Sequence, residues 1–167
     1  MAQMVYLGLG SNLGDRARLL KEALAALRRE GVEVLRISSV YESAPVGPVK
    51  EQPSFLNAVA ELHTELEPDA LLSLCLGIEG ALGRVREKDK GPRTIDLDLL
   101  LAGDAILSSS ELELPHPALT ERAFVLGPLL ELSPELADPR DGRPLVEHLA
   151  RVAPTQPMRR VDDLMLR

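Results

Sequence analysis

Asp96 and Asp98 stand two residues apart in Thr94-Ile95-Asp96-Leu97-Asp98-Leu99-Leu100-Leu101, an apolar run that follows Gly91-Pro92 and reads as a β-strand. Side chains two apart on a strand project from the same face, roughly 7 Å from one another along the chain. Carboxylates placed side by side repel unless a proton or a cation lies between them. Their hard oxygens suit Mg²⁺, which commonly bridges one or two carboxylates to phosphate groups. Ile95, Leu97, Leu99 and Leu101 alternate with the acids and are expected to face the core. A solvated strand face beside a turn is the other reading of the same spacing.

The residues just before the pair favour the first reading. Arg84, Arg86, Lys88, Lys90 and Arg93 fall within one short stretch of a chain whose formal net charge is −7. A local basic patch on an acidic protein points to a small anionic ligand, and the overall charge argues against a non-specific nucleic-acid binder. Guanidinium forks match phosphate oxygens, so Arg84, Arg86 and Arg93 beside an acid pair supply the parts that phosphoryl transfer needs. The alternating signs of Glu87-Lys88-Asp89-Lys90 read as a solvated loop.

Other residues allow two readings each. Glu79, on the helix leading into the basic stretch, is either an exposed helix residue or part of the site. Gly8-Leu9-Gly10-Ser11-Asn12-Leu13-Gly14 looks like a phosphate loop but lacks the Lys-Ser/Thr ending of a Walker A motif; a tight turn from strand into helix explains its glycines equally well. Phe55 and Asn57 share a strand face, where an aromatic and an amide could stack on a heterocycle and read its edge; a core Phe and an Asn at a sheet irregularity is the plainer alternative. His116, between Pro115 and Pro117, reads first as part of a fixed turn and second as a phosphate contact. Arg122 and Phe124 follow at a helix start.

The elements that must position these residues can be read from periodicity. Residues 4–9 form a buried strand, 16–29 a helix capped by Asp15 and stopped by Gly31, and 32–41 a second strand. The stretch 42–53, with Pro45, Gly47, Pro48 and Pro53, is a long loop. Residues 55–64 alternate, with Leu56, Ala58, Ala60 and Leu62 on one face. Pro68 opens a helix with Leu71, Cys75, Ile78 and Leu82 as its stripe, and Gly83 ends it. After the loop 84–93 and the strand 94–101, residues 105–107 are expected to pair back as a short hairpin arm. A helix over 120–132 is interrupted by Pro128, a last helix covers 144–152, and the tail from Pro154 is irregular. Strand, helix, strand, strand, helix, strand is the split order of an α+β, ferredoxin-like antiparallel sheet (βαββαβ) with helices on one face, here followed by a C-terminal helical extension.

Composition sets bounds. At 167 residues, 45% hydrophobic and 27% charged, the chain is expected to form one domain over 1–167. No stretch resembles a signal peptide or reaches the length of a membrane span, so a cytoplasmic protein is expected, binding neither membrane nor nucleic acid. Cys75 reads as a small core residue, and His63, His116 and His148 have no partners at zinc spacing. Scarce Asn and Gln with abundant Arg fit a thermophilic source or a GC-rich genome.

Taken together, these segments closely resemble the 6-hydroxymethyl-7,8-dihydropterin pyrophosphokinase family. The matching pieces are Tyr6-Leu7-Gly8-Leu9-Gly10-Ser11-Asn12-Leu13-Gly14, Ser39-Val40-Tyr41-Glu42-Ser43-Ala44-Pro45-Val46-Gly47, and Gln52-Pro53-Ser54-Phe55-Leu56-Asn57-Ala58. Gly83-Arg84-Val85-Arg86, Gly91-Pro92-Arg93-Thr94-Ile95-Asp96-Leu97-Asp98, Pro115-His116-Pro117 and Arg122-Ala123-Phe124-Val125-Leu126 complete the set in family order. The resemblance implies diphosphate transfer from ATP to a hydroxymethyl-dihydropterin. Asp96 and Asp98 would hold two Mg²⁺ ions, with Asp96 also near the pterin hydroxymethyl group. Arg84, Arg86 and Arg93 would engage the phosphates, assisted by His116 and Arg122, while Glu79 would line the ATP site and Leu99 the adenine region. Phe55 and Phe124 would sandwich the pterin, Asn57 would read its polar edge, and backbone around Ser43, Ala44 and Val46 would complete the pocket. The loops 42–53 and 84–91 would be mobile and close over the substrates.

The chain departs from the family pattern at several positions. Lys90 stands where an aromatic often precedes Gly-Pro-Arg, and its loop is one residue shorter than in some relatives. Phe55 stands where a Tyr is also found, and Leu76 and Glu113 replace polar or basic ATP contacts. A monomer or weak homodimer is expected. Two other classes compete: a non-catalytic ligand-binding module, which would need no acid pair, and a single-stranded RNA binder, which would want exposed aromatics on a basic face.

Overall fold

The structure, a computed structural model, describes residues 2–44, 54–83, 95–162 and 164–166. In chain order the elements are β1 (Gln3–Ser11), α1 (Arg16–Arg29), β2 (Glu33–Ile37), β3 (Val40–Ser43), β4 (Phe55–Thr64), α2 (Pro68–Ala81), β5 (Asp96–Ala102), the short arms β6 (Leu107–Ser108) and β7 (Glu113–Leu114), a 3₁₀ turn (Leu119–Glu121), α3 (Ala123–Leu132), α4 (Leu145–Val152) and β8 (Met158–Val161). Among the described residues the main sheet runs β5-β1-β4-β3-β8, with β2 also paired to β4, and every pairing is antiparallel. The α+β class with an antiparallel sheet agrees with the sequence reading.

Period-two alternation sorts the strands onto two faces. Val5, Leu7 and Leu9 of β1, Leu56, Ala58, Ala60 and Leu62 of β4, and Leu97 and Leu99 of β5 pack against Leu20, Leu24 and Leu27 of α1 and Leu71, Cys75 and Ile78 of α2. Helix α1 starts because Asp15 accepts the Arg18 N–H at 3.2 Å, and Gly31 at φ +85° lets the chain leave it. Pro68 at the first position of α2 presets the helical φ. The opposite face is covered as well: Val59, Leu100 and Leu101 pack under Leu119, Leu126 and Leu129 and, through α4, Leu145 and Val152. The expectation of helices on one face thus holds for α1 and α2 only, because the second face carries its own apolar residues and α3 seals them.

Several local expectations change. The stretch 32–41 is broken at Ser38, whose Oγ accepts the Val59 N–H at 2.9 Å, so β2 and β3 pair separately with β4. Glu42 and Ser43, read as the start of a loop, belong to β3. Register slips between Tyr6 and Leu7, which pair with Leu101 and Leu99, and the bulged Leu100 carries Leu101 into the second cluster rather than the α1/α2 core. The arm after Gly103 pairs with β7, not back onto β5. Helix α3 runs through Pro128, at the cost of one intrahelical bond, and the break falls earlier at the extended Arg122 (φ −128°, ψ 113°). The tail expected to be irregular contains β8, an edge strand with no amphipathic signal of its own that is recruited by β3.

Candidate active site

One strip of the second sheet face is left uncovered by α3. Gly8 pairs with Asp98 on one side and Val59 on the other, and Gly10 pairs with Asp96 and Asn57. A turn from strand into helix accounts for Gly14 alone, at φ +80°, whereas Gly10 as well as Gly8 lies inside β1, which runs on past residue 9 to Ser11. Their value is an absent side chain. A Cβ at Gly10 would meet Asn57 Oδ1 at 3.5 Å and Phe55 Cδ1 at 3.6 Å, and one at Gly8 would meet Leu100 at 3.5 Å. The bare backbone therefore floors a cavity whose walls include Phe55, Asn57, Ser43 and Ala44 on one side, Arg122 and Phe124 on the other, with Asp96 and Asp98 at its edge.

Each wall residue is held by its own element. Asn57, 4% exposed, donates from Nδ2 to Ser43 Oγ at 2.7 Å, which ties β4 to β3 and aims its carbonyl oxygen toward Gly10. Phe124 sits in the first turn of α3, and the Arg122 guanidinium lies 5.6 Å from its ring centroid. Two half-buried aromatics facing an amide across a glycine floor make a slot for a flat, edge-polar ring.

The acids sit on the open side of that slot. Asp96 and Asp98 are both partly exposed, while Leu97 between them is buried. Glu79 is not an exposed helix residue: it is 2% exposed and its Oε2 accepts the Leu97 N–H at 2.8 Å. It thereby fixes the outer edge of β5 at the residue between the two acids, and it shares a second groove with them. His116 donates its backbone N–H to Leu100 O at 3.0 Å, filling the carbonyl that the bulge turns outward. Its Nδ1 accepts the Ala118 N–H at 3.0 Å, which leaves the ring proton on Nε2, 3.9 Å from Asp98 Oδ1. Burial and then the Arg122 charge push this imidazole down to about 4, against the pull of Asp96, so the ring is neutral near pH 7 and offers an N–H to the acid edge.

The structure thus brings Ser43, Ala44, Phe55, Asn57, Asp96, Asp98, Arg122 and Phe124 around one cavity, with His116 and Glu79 beside the acids. Leu99 is not among them; it is 4% exposed in the α1/α2 core. Arg84, Arg86, Arg93, Lys90 and Val46 lie outside the described residues, as do most of the two stretches expected to close over the site. Cys75 is buried, its thiol pushed up to about 12 chiefly by desolvation, in keeping with a core residue. The sequence reading missed Gly8 and Gly10 as site residues, although their i, i+2 spacing matches that of Asp96 and Asp98 on the neighbouring strand. Apart from that cavity, the Arg16 guanidinium donates to Glu42 Oε2 at 3.0 Å and to Ser54 O at 2.9 Å, tying α1 to β3.

Fold and cleft define an α+β protein with a cavity between two aromatics and an amide, edged by a pair of acids. Comparison with known proteins narrows the class. A model of the 7,8-dihydro-6-hydroxymethylpterin-pyrophosphokinase family matches residues 6–134. A protein of Methylorubrum extorquens named 2-amino-4-hydroxy-6-hydroxymethyldihydropteridine pyrophosphokinase is 46% identical over 151 residues, covering 90% of this chain and 94% of the relative. Its Pseudomonas aeruginosa namesake is also 46% identical over 151 residues, covering 90% and 92%. The folic acid synthesis protein fol1 of Schizosaccharomyces pombe is 44% identical over 158 residues, 94% of this chain but only 21% of the fungal one, so the chain spans about a fifth of that protein. Wild-type Plasmodium falciparum HPPK-DHPS shares the fold, with a TM-score of 0.68 at 15% identity over 90% of this chain and 45% of that one. The chain belongs to the 7,8-dihydro-6-hydroxymethylpterin-pyrophosphokinase family.

Proposed function

We propose that this chain transfers a diphosphate from ATP to the hydroxymethyl group of 6-hydroxymethyl-7,8-dihydropterin, releasing AMP, in folate synthesis. The observation that carries the reading is the meeting of Phe55, Phe124 and Asn57 with Asp96 and Asp98 around one glycine-floored cleft. The strand order supports the finer description of a ferredoxin-like sheet with a C-terminal helical extension. In the slot, Phe55 and Phe124 stack on the pterin, and Asn57, held by Ser43, reads its polar edge. This orientation aims the hydroxymethyl oxygen at the acid edge, where Asp96 lies nearest to it. That oxygen bonds to the β-phosphorus as the bond from the β-phosphorus to the oxygen of AMP breaks, and the hydroxyl proton is released. No covalent enzyme intermediate is needed, so the protein's part is alignment and charge neutralisation.

Asp96 and Asp98 fit Mg²⁺. They share a face, are partly exposed, and no third His, Cys or carboxylate joins them among the described residues, which suits an ion that completes its shell with phosphate oxygens and water. Two such ions, when bound, would neutralise charge on the polyphosphate. The neutral His116 donates from Nε2, and Arg122, with Arg84, Arg86 and Arg93, supplies positive charge. The test is the product. ATP and the hydroxymethyl pterin, incubated with the protein and Mg²⁺, are expected to give AMP and the pterin diphosphate in equal amounts. Release of ADP, or of AMP without pterin diphosphate, would refute the reading.

A further inference from the structure

The two walls of the ring slot come from parts of the chain far apart in sequence. Ser43 lies on β3, whereas Arg122 and Phe124 lie at the start of α3. One short stretch touches both, and it lies beyond residues 6–134, the part matched by the family model. Gln156 Oε1 accepts the Ala123 N–H at 2.8 Å, and its Nε2 donates to Glu121 O at 2.9 Å. These two bonds flank Arg122 and supply an acceptor for an otherwise unpaired first-turn amide of α3, which has no side-chain cap of its own. Two residues on, Met158 pairs with Ser43 and Arg159 with Glu42 as β8 adds to the edge of β3. Arg159 also donates to Glu42 Oε1 at 2.8 Å. Between the two anchors the Met158 side chain reaches α3, where a Cβ at Gly127 would collide with its methyl group.

We propose that Gln156 and Met158–Val161 form a brace that sets the width of the ring slot, with Gln156 as a positioning residue for Arg122 and Phe124. The proposal rests on the pterin reading of the slot. The far end of α3 is held separately, by Glu131, which accepts from Tyr41 Oη at 2.6 Å and from Ser39 N at 2.8 Å. Loss of the brace therefore loosens the wall next to the ligand without detaching the helix. Because Gln156 bonds the backbone on both sides of Arg122, which the proposed function sets beside the polyphosphate, its removal should reach the ATP side as well, but less than the ring slot.

The test compares Gln156→Ala, Gln156→Glu and Asn57→Ala in the full chain, by fluorescence titration with 6-hydroxymethylpterin and by separate KM values for pterin and ATP. Gln156→Ala is expected to weaken pterin binding and raise its KM about tenfold, the order set by one well-made hydrogen bond, with a smaller rise in the ATP KM through Arg122. Gln156→Glu keeps the acceptor for Ala123 N–H and should recover most of the loss. A purely structural residue would lower Tm and the active fraction while leaving the pterin constants alone, and that result overturns the brace. If Asn57→Ala weakens pterin binding and Gln156→Ala does not, the brace alone falls. If neither does, the slot reading falls and takes the brace with it.

Discussion

The two faces of the sheet are built from the same strands yet do opposite work. On the α1/α2 face, Leu7 and Leu62 are fully buried and Leu9 and Leu97 nearly so, each strand adding apolar side chains to one closed core. On the other face the same strands offer Gly8, Gly10, Asn57, Asp96 and Asp98, and α3 covers only the end nearer Val59 and Leu100. Even that covered end is partly polar. Glu61, 6% exposed, accepts from Arg36 Nε and Nη2 at 2.9 Å each and from the Tyr6 hydroxyl at 2.8 Å. Alternation lets one strand give every second residue to the core and the residues between to the cleft, so mutations one position apart should fail in different ways.

The largest break in this comparison is expected at the acids. Asp96→Asn or Asp98→Asn should lower turnover by about 10³ or more while Tm moves little, because both side chains are partly exposed. Calorimetric melting beside the AMP assay checks both halves. Next comes Leu7→Ala, which should cost about 3 kcal/mol of stability by leaving a cavity and leave the pterin KM of the surviving folded enzyme unchanged; denaturant unfolding measures the first. Gly10→Val fills the slot floor instead, and should weaken pterin binding by one to two orders of magnitude, about 2 kcal/mol, with a smaller change in Tm.

The smallest effect concerns Glu42. Hydrogen bonds from Arg159, Ser54 and Arg16 hold its carboxyl down to about 2, below an ordinary 4.5. A group depressed in the folded state adds stability that is complete above the unfolded value and lost as pH falls toward the folded one. Glu42→Gln should thus flatten the decline of stability between about pH 4.5 and 2, a difference of about 1 kcal/mol or less for a partly exposed cluster. An unchanged slope in acid denaturation would remove Glu42 from that role.

The legible parts of the site were those with a periodic signal. Asp96 and Asp98, and Phe55 and Asn57, could be placed on shared faces because strand alternation leaves no choice once the apolar residues are assigned. Gly8 and Gly10 were not placed in the cleft because a missing side chain carries no pattern, and strand and turn glycines look alike. Glu79 could be read as exposed or as part of the site because its partner is a backbone N–H, that of Leu97, eighteen residues on and silent in sequence. Leu101 changed faces because a bulge at Leu100 shifts register by one, and nothing in a run of leucines marks it. Strand β8 was invisible for a related reason: Met-Arg-Arg-Val becomes a strand only when β3 presents its edge.

Calorimetric titration with a non-hydrolysable ATP analogue, with and without Mg²⁺, most directly probes the acid pair as the seat of cation and polyphosphate. Wild-type protein should bind the analogue far more tightly with Mg²⁺ present. The Asp96→Asn, Asp98→Asn double variant should lose that Mg²⁺-dependent gain yet keep most of its binding of 6-hydroxymethylpterin alone, which rests on Phe55, Asn57 and Phe124. An equal Mg²⁺-dependent gain in the double variant would contradict the account.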